Sequence, residues 1–175
     1  MGARPVAYLL SFRCYGSWLP GDRRGWVSRH GGNVAGTPLM APSGALADDA
    51  AARQSQPSFW LGEQARATVC RTVEEVAAFR GWHVEALSVR TSHVHAVLRA
   101  DVPPERALTQ LKAWSTRRLV EAKLAYQGQK VWSEHGSTKY LWDERGVRRV
   151  KYYVNHEQDD PRVYWDPRSP KYRGG

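Results

Sequence analysis

Apolar residues recur along the chain with two different periods, and the changes between them predict the order of elements. Ala7 to Tyr15 (AYLLSFRCY) mixes apolar and aromatic residues as a strand does. From about Pro20 to Pro57 the periodicity is lost. GDRRGW, RHGGN, GTP and APSG punctuate this stretch, which predicts a long loop or insertion with at most a short helix near Leu46 to Arg53. An irregular segment of that length inside a domain is usually functional or mobile. From Leu61 to Arg80 the period becomes helical, with Ala65, Val69, Val73, Val76 and Ala77 near one stripe. Gly81 then stands where helix C-termini favour glycine. Two strands follow, Trp82 to Arg90 and His93 to Ala100, joined by a tight turn at Thr91 and Ser92. Pro103 and Pro104 open a helix that should run to about Ala125, with Gly128 breaking the chain after it. Lys130 to Trp142 reads as short strands around a turn at HGST. Asp143 can cap a last helix, Glu144 to Gln158, and the tail beyond Pro161 is expected to be loose or laid over the surface.

Strands and helices interleaved around one central hairpin predict an α+β fold, an antiparallel sheet with helices packed on it, of ferredoxin or RRM type. At 175 residues, 42% of them hydrophobic, a single domain over residues 1–175 is expected, with the insertion at about 20–57 and the tail at about 161–175. That composition excludes a disordered tail. Lys and Arg number 26 against 17 acidic residues, a net charge of +9, which favours a polyanion such as nucleic acid as partner. The 8 Trp and 8 Tyr add to this, because aromatic faces stack on unpaired bases while cations neutralise phosphate; many of these rings must still be core. Cys14 and Cys70 lack the spacing of a zinc knuckle or redox pair and are expected to be small buried hydrophobes. The apolar run at the start is too short for a signal peptide, and no apolar stretch approaches the ~20 residues needed to span a membrane. A cytoplasmic protein with no membrane partner is expected.

Two segments carry candidate chemistry. In Ser92-His93-Val94-His95-Ala96-Val97-Leu98, residues two apart on a strand share a face roughly 7 Å apart along the chain. His93 and His95 can then converge on one metal while Val94, Ala96 and Leu98 pack on the other side. Taken alone, such a pair is more often an ordinary polar face. The second segment is Lys151 to Gln158 in the last helix, whose apolar stripe is Val147, Val150 and Val154. At about 100° per residue, Tyr153 and Glu157 lie along one edge of that stripe and Gln158 borders the other. Tyr152 and His156 point to solvent. Tyr153 should therefore look towards the sheet that bears the histidines, although a tyrosine packing at a helix–sheet seam is common.

Taken together, these segments resemble the single-tyrosine HUH transposases, which include small bacterial insertion-sequence transposases and REP-associated tyrosine transposases. His93-Val94-His95 matches the motif of histidine, bulky apolar residue, histidine. The C-terminal helix carries a tyrosine with polar residues four and five positions on. SFRCYGSWLPGD, LKAWSTRRL and HGSTKYLWD are also similar to that group, so the resemblance covers nearly the whole chain in the right order. It implies an HUH nuclease fold and metal-dependent cleavage and rejoining of single-stranded DNA, as in DNA transposition in a bacterial cytoplasm. Tyr153 would be the nucleophile, left linked to the 5′ phosphate with a free 3′ hydroxyl. His93 and His95 would hold a divalent Mg²⁺ or Mn²⁺. A neutral phenol is a weak nucleophile, and a metal at the phosphate lowers the barrier; from the imidazoles alone, zinc is also a candidate. The family's third ligand is a Gln or Asn four residues after the tyrosine. Here Glu157 stands at that position and Gln158 one later. Glu157 fits a straight helix and is a hard oxygen ligand, whereas Gln158 would need a local bulge, and both stay open.

Arg23, Arg24, Lys112, Arg117, Arg118 and Lys139 are candidates for DNA phosphate, with solvated faces as the plainer account. Trp18 and Trp26, interleaved with Arg23, Arg24 and Arg29, suit single-strand or hairpin DNA. His30 and His135 are expected at the surface, His83 at a plain sheet position, and Asp22 and Asp143 in turn and cap. A homodimer is a candidate assembly. The rival readings are a non-catalytic single-strand-binding module with an RRM-like sheet and a metal-dependent hydrolase without a covalent tyrosine.

Overall fold

The computed structural model describes residues 4–26 and 39–156, with the backbone of 163–164. Its elements are β1 (Ala7–Cys14), α1 (Gly44–Ala52), α2 (Glu63–Arg80), β2 (His83–Val89), β3 (His93–Arg99), α3 (Pro104–Glu121), β4 (Trp132–Leu141), α4 (Glu144–His156) and β5 (Val163–Tyr164). The strands form one sheet in the order β4-β1-β3-β2-β5, with every pairing antiparallel. With α1, α4 and β5 set aside, the remainder is the βαββαβ arrangement of the ferredoxin-like motif. The expected α+β fold, helices on an antiparallel sheet, is the one that forms.

Strand alternation divides the core into two layers. Leu10, Phe12, Leu87, Val89, Val94, Ala96 and Leu98 face α2 and α3, where Val69, Val73, Leu111 and Leu119 meet them. The other face carries Ala7, Ala86, Val97 and Leu141 and is covered by Val147, Val150 and Val154 of α4. The predicted α2 stripe is buried throughout, and Gly81 closes the helix at φ 70. α4 holds the sheet with only three buried valines, each contributing about 1.5–3 kcal/mol. Polar contacts supplement them. A bulge between Val84 and Ala86 of β2 accompanies a Glu85 side chain that reaches α4: Lys151 Nζ donates to Glu85 Oε2 at 2.6 Å. Arg99 Nε donates to Glu85 Oε1 at 2.6 Å, and its terminal nitrogens grip both Glu144 oxygens at 2.8 Å.

The structure corrects two expectations. β4 runs unbroken through the HGST stretch where a turn is expected. It pairs with β1 from Gly136 to Leu141 and again at Trp132, with a register shift between, and Gly136 serves close packing, since a Cβ there would meet Leu108 Cδ2 at 2.7 Å and Ser11 O at 2.8 Å. α3 stops at Glu121, short of Ala125, because Lys123 turns left-handed (φ 59) and the Leu124 and Ala125 amides bond back to Leu119 O. Within the insertion α1 forms where the short helix is expected, capped by Ser43 Oγ accepting from Leu46 N, and a bridge joins Trp26 to Met40. In the tail, Val163–Tyr164 pairs antiparallel with the edge of β2. Residues 27–38, with His30, and the rest of the tail lie outside the described residues.

Candidate active site

Register brings the site together. β3 lies between β1 and β2, with His95 opposite Ser11 on one side and Ser88 on the other, and His93 opposite Arg13. All these side chains face α4. The two imidazoles sit edge to face, ring centroids 4.9 Å apart. Each is anchored at Nδ1 by a serine: Ser11 Oγ lies 2.6 Å from His95 Nδ1, and Ser92 Oγ 3.0 Å from His93 Nδ1. In the tautomer with the proton on Nδ1, each ring donates to its serine and leaves the Nε2 lone pair for a ligand. Burial, then the positive charges of His93, Arg13 and Arg90, lower the His95 pKa to about 3. His95 is therefore neutral at pH 7, the state in which an imidazole binds a metal.

α4 sets Tyr153 over this pair. Its ring centroid is 6.3 Å from that of His95, and the residue is 41% exposed, open to a large substrate. Tyr152 faces away and stacks on His156 at 4.5 Å, as the helical periodicity predicts. Asp143 caps the helix as expected, accepting from Gly146 N at 2.6 Å. The Glu144–Arg99–Glu85–Lys151 chain then ties the helix to the sheet two residues before Tyr153.

Arg13 is the main site residue that sequence reasoning missed. Its guanidinium lies 3.7 Å from the centroid of Trp18, which Arg24 also approaches at 4.7 Å. Trp18 Nε1 donates to Gly25 O at 2.7 Å, while Arg24 is held by Asp22 and by Ser17 O. These hydrogen bonds from Arg24 hold the Asp22 carboxyl down at about 2. Burial, then repulsion from Arg24, lowers Arg13 to about 10, with Asp22 and Tyr153 acting in the opposite sense. Arg13 thus stays charged at pH 7 within electrostatic reach of Tyr153. It makes no ion pair among the described residues. The signal was present in the chain, since Arg13 follows Ser11 by two and so shares its face. Arg13, Ser11 and both histidines line a pocket of about 250 Å³, closed from the β4 side by Ser133, His135 and Ser137. His135, expected to be a plain surface residue, is exposed and borders this pocket.

The other predicted residues scatter. α3 covers the opposite face of the sheet. There Lys112 donates to the Ser133 and Glu134 carbonyls, Arg117 pairs with Glu121, and Arg118 bridges Glu75 and Glu121. Arg23 is exposed in the loop after Trp18, and Lys139 is exposed on β4 opposite Leu9, on the α4 side. His83 is exposed beside Glu85. Cys14 and Cys70 are buried free thiols, each pushed up to about 12, chiefly by burial. Glu157 and Gln158 lie outside the described residues. Among the described residues no group of three or more His, Cys, Asp or Glu could hold a metal. No described helix is long and apolar enough to cross a membrane.

No protein-family model matches the chain, and no curated protein matches it. Two solved structures are similar in fold. One is a REP-associated tyrosine transposase bound to a REP hairpin, 8% identical, covering 88% of this chain and 67% of that one, with a TM-score of 0.48. The other is a protein from Deinococcus radiodurans R1 described as a transposase, 16% identical, covering 87% and 91%, with a TM-score of 0.46.

Proposed function

We propose that the chain is a single-tyrosine HUH nuclease that cleaves and rejoins single-stranded DNA, as in DNA transposition. The observation that carries this reading is Tyr153 on α4, its ring 6.3 Å from that of His95, beside two serine-anchored histidines whose pocket also holds Arg13. Cationic surroundings suit phosphate, and the net charge of +9 suits the polyanion that bears it. A phenol at 41% exposure can reach a strand lying in the cleft. In the reaction the Tyr153 Oη–P bond forms and the P–O3′ bond breaks. The phenol gives up one proton and the leaving 3′ oxygen takes one, so the step is balanced and the reverse step rejoins the strand. Arg13 binds a non-bridging phosphate oxygen and stabilises charge as it develops. His93 and His95 would hold Mg²⁺ or Mn²⁺ through Nε2, with Glu157 or Gln158 as the third ligand. Such an ion polarises the phosphate when bound.

The test is incubation of the protein with end-labelled single-stranded DNA in Mg²⁺ or Mn²⁺, followed by a denaturing gel. A labelled covalent band that depends on Tyr153 is expected. Cleavage without any covalent band points to a metal-dependent hydrolase, and tight binding without cleavage points to a non-catalytic single-strand binder. Either result overturns the proposal.

A further inference from the structure

Beside the histidine pocket lies a second and larger one, of about 640 Å³, walled by the Tyr15-to-Trp26 loop, α1 and the start of β4. That volume falls in the range of small-ligand sites, about 300–1,000 Å³. The two pockets share Ser133, and Trp18 lines the larger one while carrying Arg13 of the smaller one on its ring. Three aromatic residues line the larger pocket: Tyr15, Trp18 and Trp26. The polar tip of each is already engaged within the protein. Tyr15 Oη meets Ser55 Oγ at 3.3 Å, Trp18 Nε1 donates to Gly25 O at 2.7 Å, and Trp26 Nε1 donates to Ala41 O at 3.1 Å. The ring planes are therefore set before anything binds, with Arg13 and Arg24 already over the Trp18 ring and Lys130 over that of Tyr15. None of the three is fully buried, although Tyr15 also packs against the core.

Cations stand at the same place. Lys130 Nζ lies 5.4 Å from the Tyr15 ring centroid and donates to Ser55 Oγ at 2.8 Å, and Arg53 lines the pocket from the end of α1, paired with Asp49 at 2.7 Å, while Glu134 is the second carboxylate of the lining. The walls are locked together at Gly21 (φ +86), where a Cβ would lie 2.3 Å from Ser43 O and 2.6 Å from Ala47 N, so the loop packs directly on the first turn of α1. α1 buries no side chain of its own. Its contribution to this protein is the wall it makes.

From this geometry we infer that the larger pocket takes an unpaired base of the same DNA strand whose phosphate lies at Arg13 and the histidines. The inference rests on the function proposed above. Flat rings with fixed planes suit a nucleobase, cations at the rim suit the flanking phosphates, and the shared Ser133 and Trp18 make the two pockets neighbours on one path. Stacking accepts any base face, so this pocket admits a single strand and rejects a closed duplex, in which no base is free to enter.

The experiment uses oligonucleotides carrying 5-iodouracil at successive positions, irradiated with the full-length protein and mapped by mass spectrometry. A second arm measures single-strand and duplex affinity by fluorescence anisotropy for wild type and for Ala50→Phe. That substitution fills the pocket from α1 without touching the histidines, and circular dichroism checks its folding. Crosslinks to Tyr15, Trp18 or Trp26 are expected, with about a tenfold loss of single-strand affinity in the variant, the order of one lost base stack, and duplex affinity unchanged. Crosslinks confined to other aromatic residues such as Tyr140 and Trp142, or a folded Ala50→Phe protein that binds as wild type, overturn the inference. Adduct formation in wild type separates the two proposals. Pocket crosslinks without an adduct leave the base site standing and remove the nuclease. An adduct with crosslinks elsewhere does the reverse.

Discussion

Glu85→Gln should loosen the helix that carries Tyr153 while leaving His93 and His95 in place. The Glu85 side chain is 12% exposed and takes hydrogen bonds at 2.6 Å from both Arg99 and Lys151. Hydrogen bonds to a charged group contribute about 1.5–3 kcal/mol each. Water recovers part of that, because the Arg99 and Lys151 side chains are 32% and 38% exposed, and glutamine keeps an acceptor. A net loss of about 2 kcal/mol is expected, or a fall of about 4–8 °C in Tm for a chain of this length. α4 buries only three valines, so the loosening falls on that helix. A misplacement of about 1 Å at a reacting group costs up to ~100-fold in rate. Adduct formation should therefore slow at least tenfold with single-strand affinity unchanged. The pH dependence has a definite sign. Burial alone would raise the Glu85 carboxyl, but the hydrogen bonds from Lys151 and Arg99 outweigh it and leave it below its usual value. The stabilisation is complete above the unfolded pKa of about 4.3 and disappears as pH falls through the lower folded value. The Tm gap between wild type and variant should be full at pH 7 and close in acid. Thermal melts across pH and single-turnover adduct assays measure both effects. An unchanged Tm at pH 7 would refute the energetic reasoning, and a lowered Tm with a wild-type adduct rate would refute the link to Tyr153.

Tyr153→Phe should abolish the covalent band on denaturing gels while Tyr152→Phe keeps it; the opposite result reassigns the nucleophile. His93→Ala or His95→Ala should eliminate cleavage in Mn²⁺ but retain most single-strand binding, which rests on phosphate contacts and weakens with salt; wild-type cleavage by either variant rules out the metal site. Arg13→Ala should slow adduct formation by about 100-fold or more, the usual size of losing one charge-stabilising donor, and Arg13→Lys should restore part of it; full activity in Arg13→Ala removes Arg13 from the site. One sequence offered as single strand, as hairpin with single-stranded flanks and as blunt duplex should be cut in the first two forms only, since opening duplex costs about 0.6–2.2 kcal/mol per base-pair step; equal cutting of the duplex refutes this.

Local periodicity was enough to place several parts of the site. His93 and His95 share a strand face because side chains alternate, and Tyr153 rather than Tyr152 faces them because α4 turns about 100° per residue. Gly81 and Asp143 marked helix ends for equally local reasons. What local pattern cannot encode is which strand lies beside which. Ser11 reaches His95 across 84 positions of sequence, and Arg13 comes to stand opposite His93, only because β1 pairs with β3 in that register. Pairing with β1 drew HGST into β4, where ladder partners for Gly136, Ser137 and Thr138 outweighed the turn preference of the stretch. Lys112, Arg117 and Arg118 looked like phosphate contacts in the sequence because charge says nothing about direction. The tertiary structure put them on the far face of the sheet, against carbonyls and carboxylates, and gave the cationic place beside the histidines to Arg13.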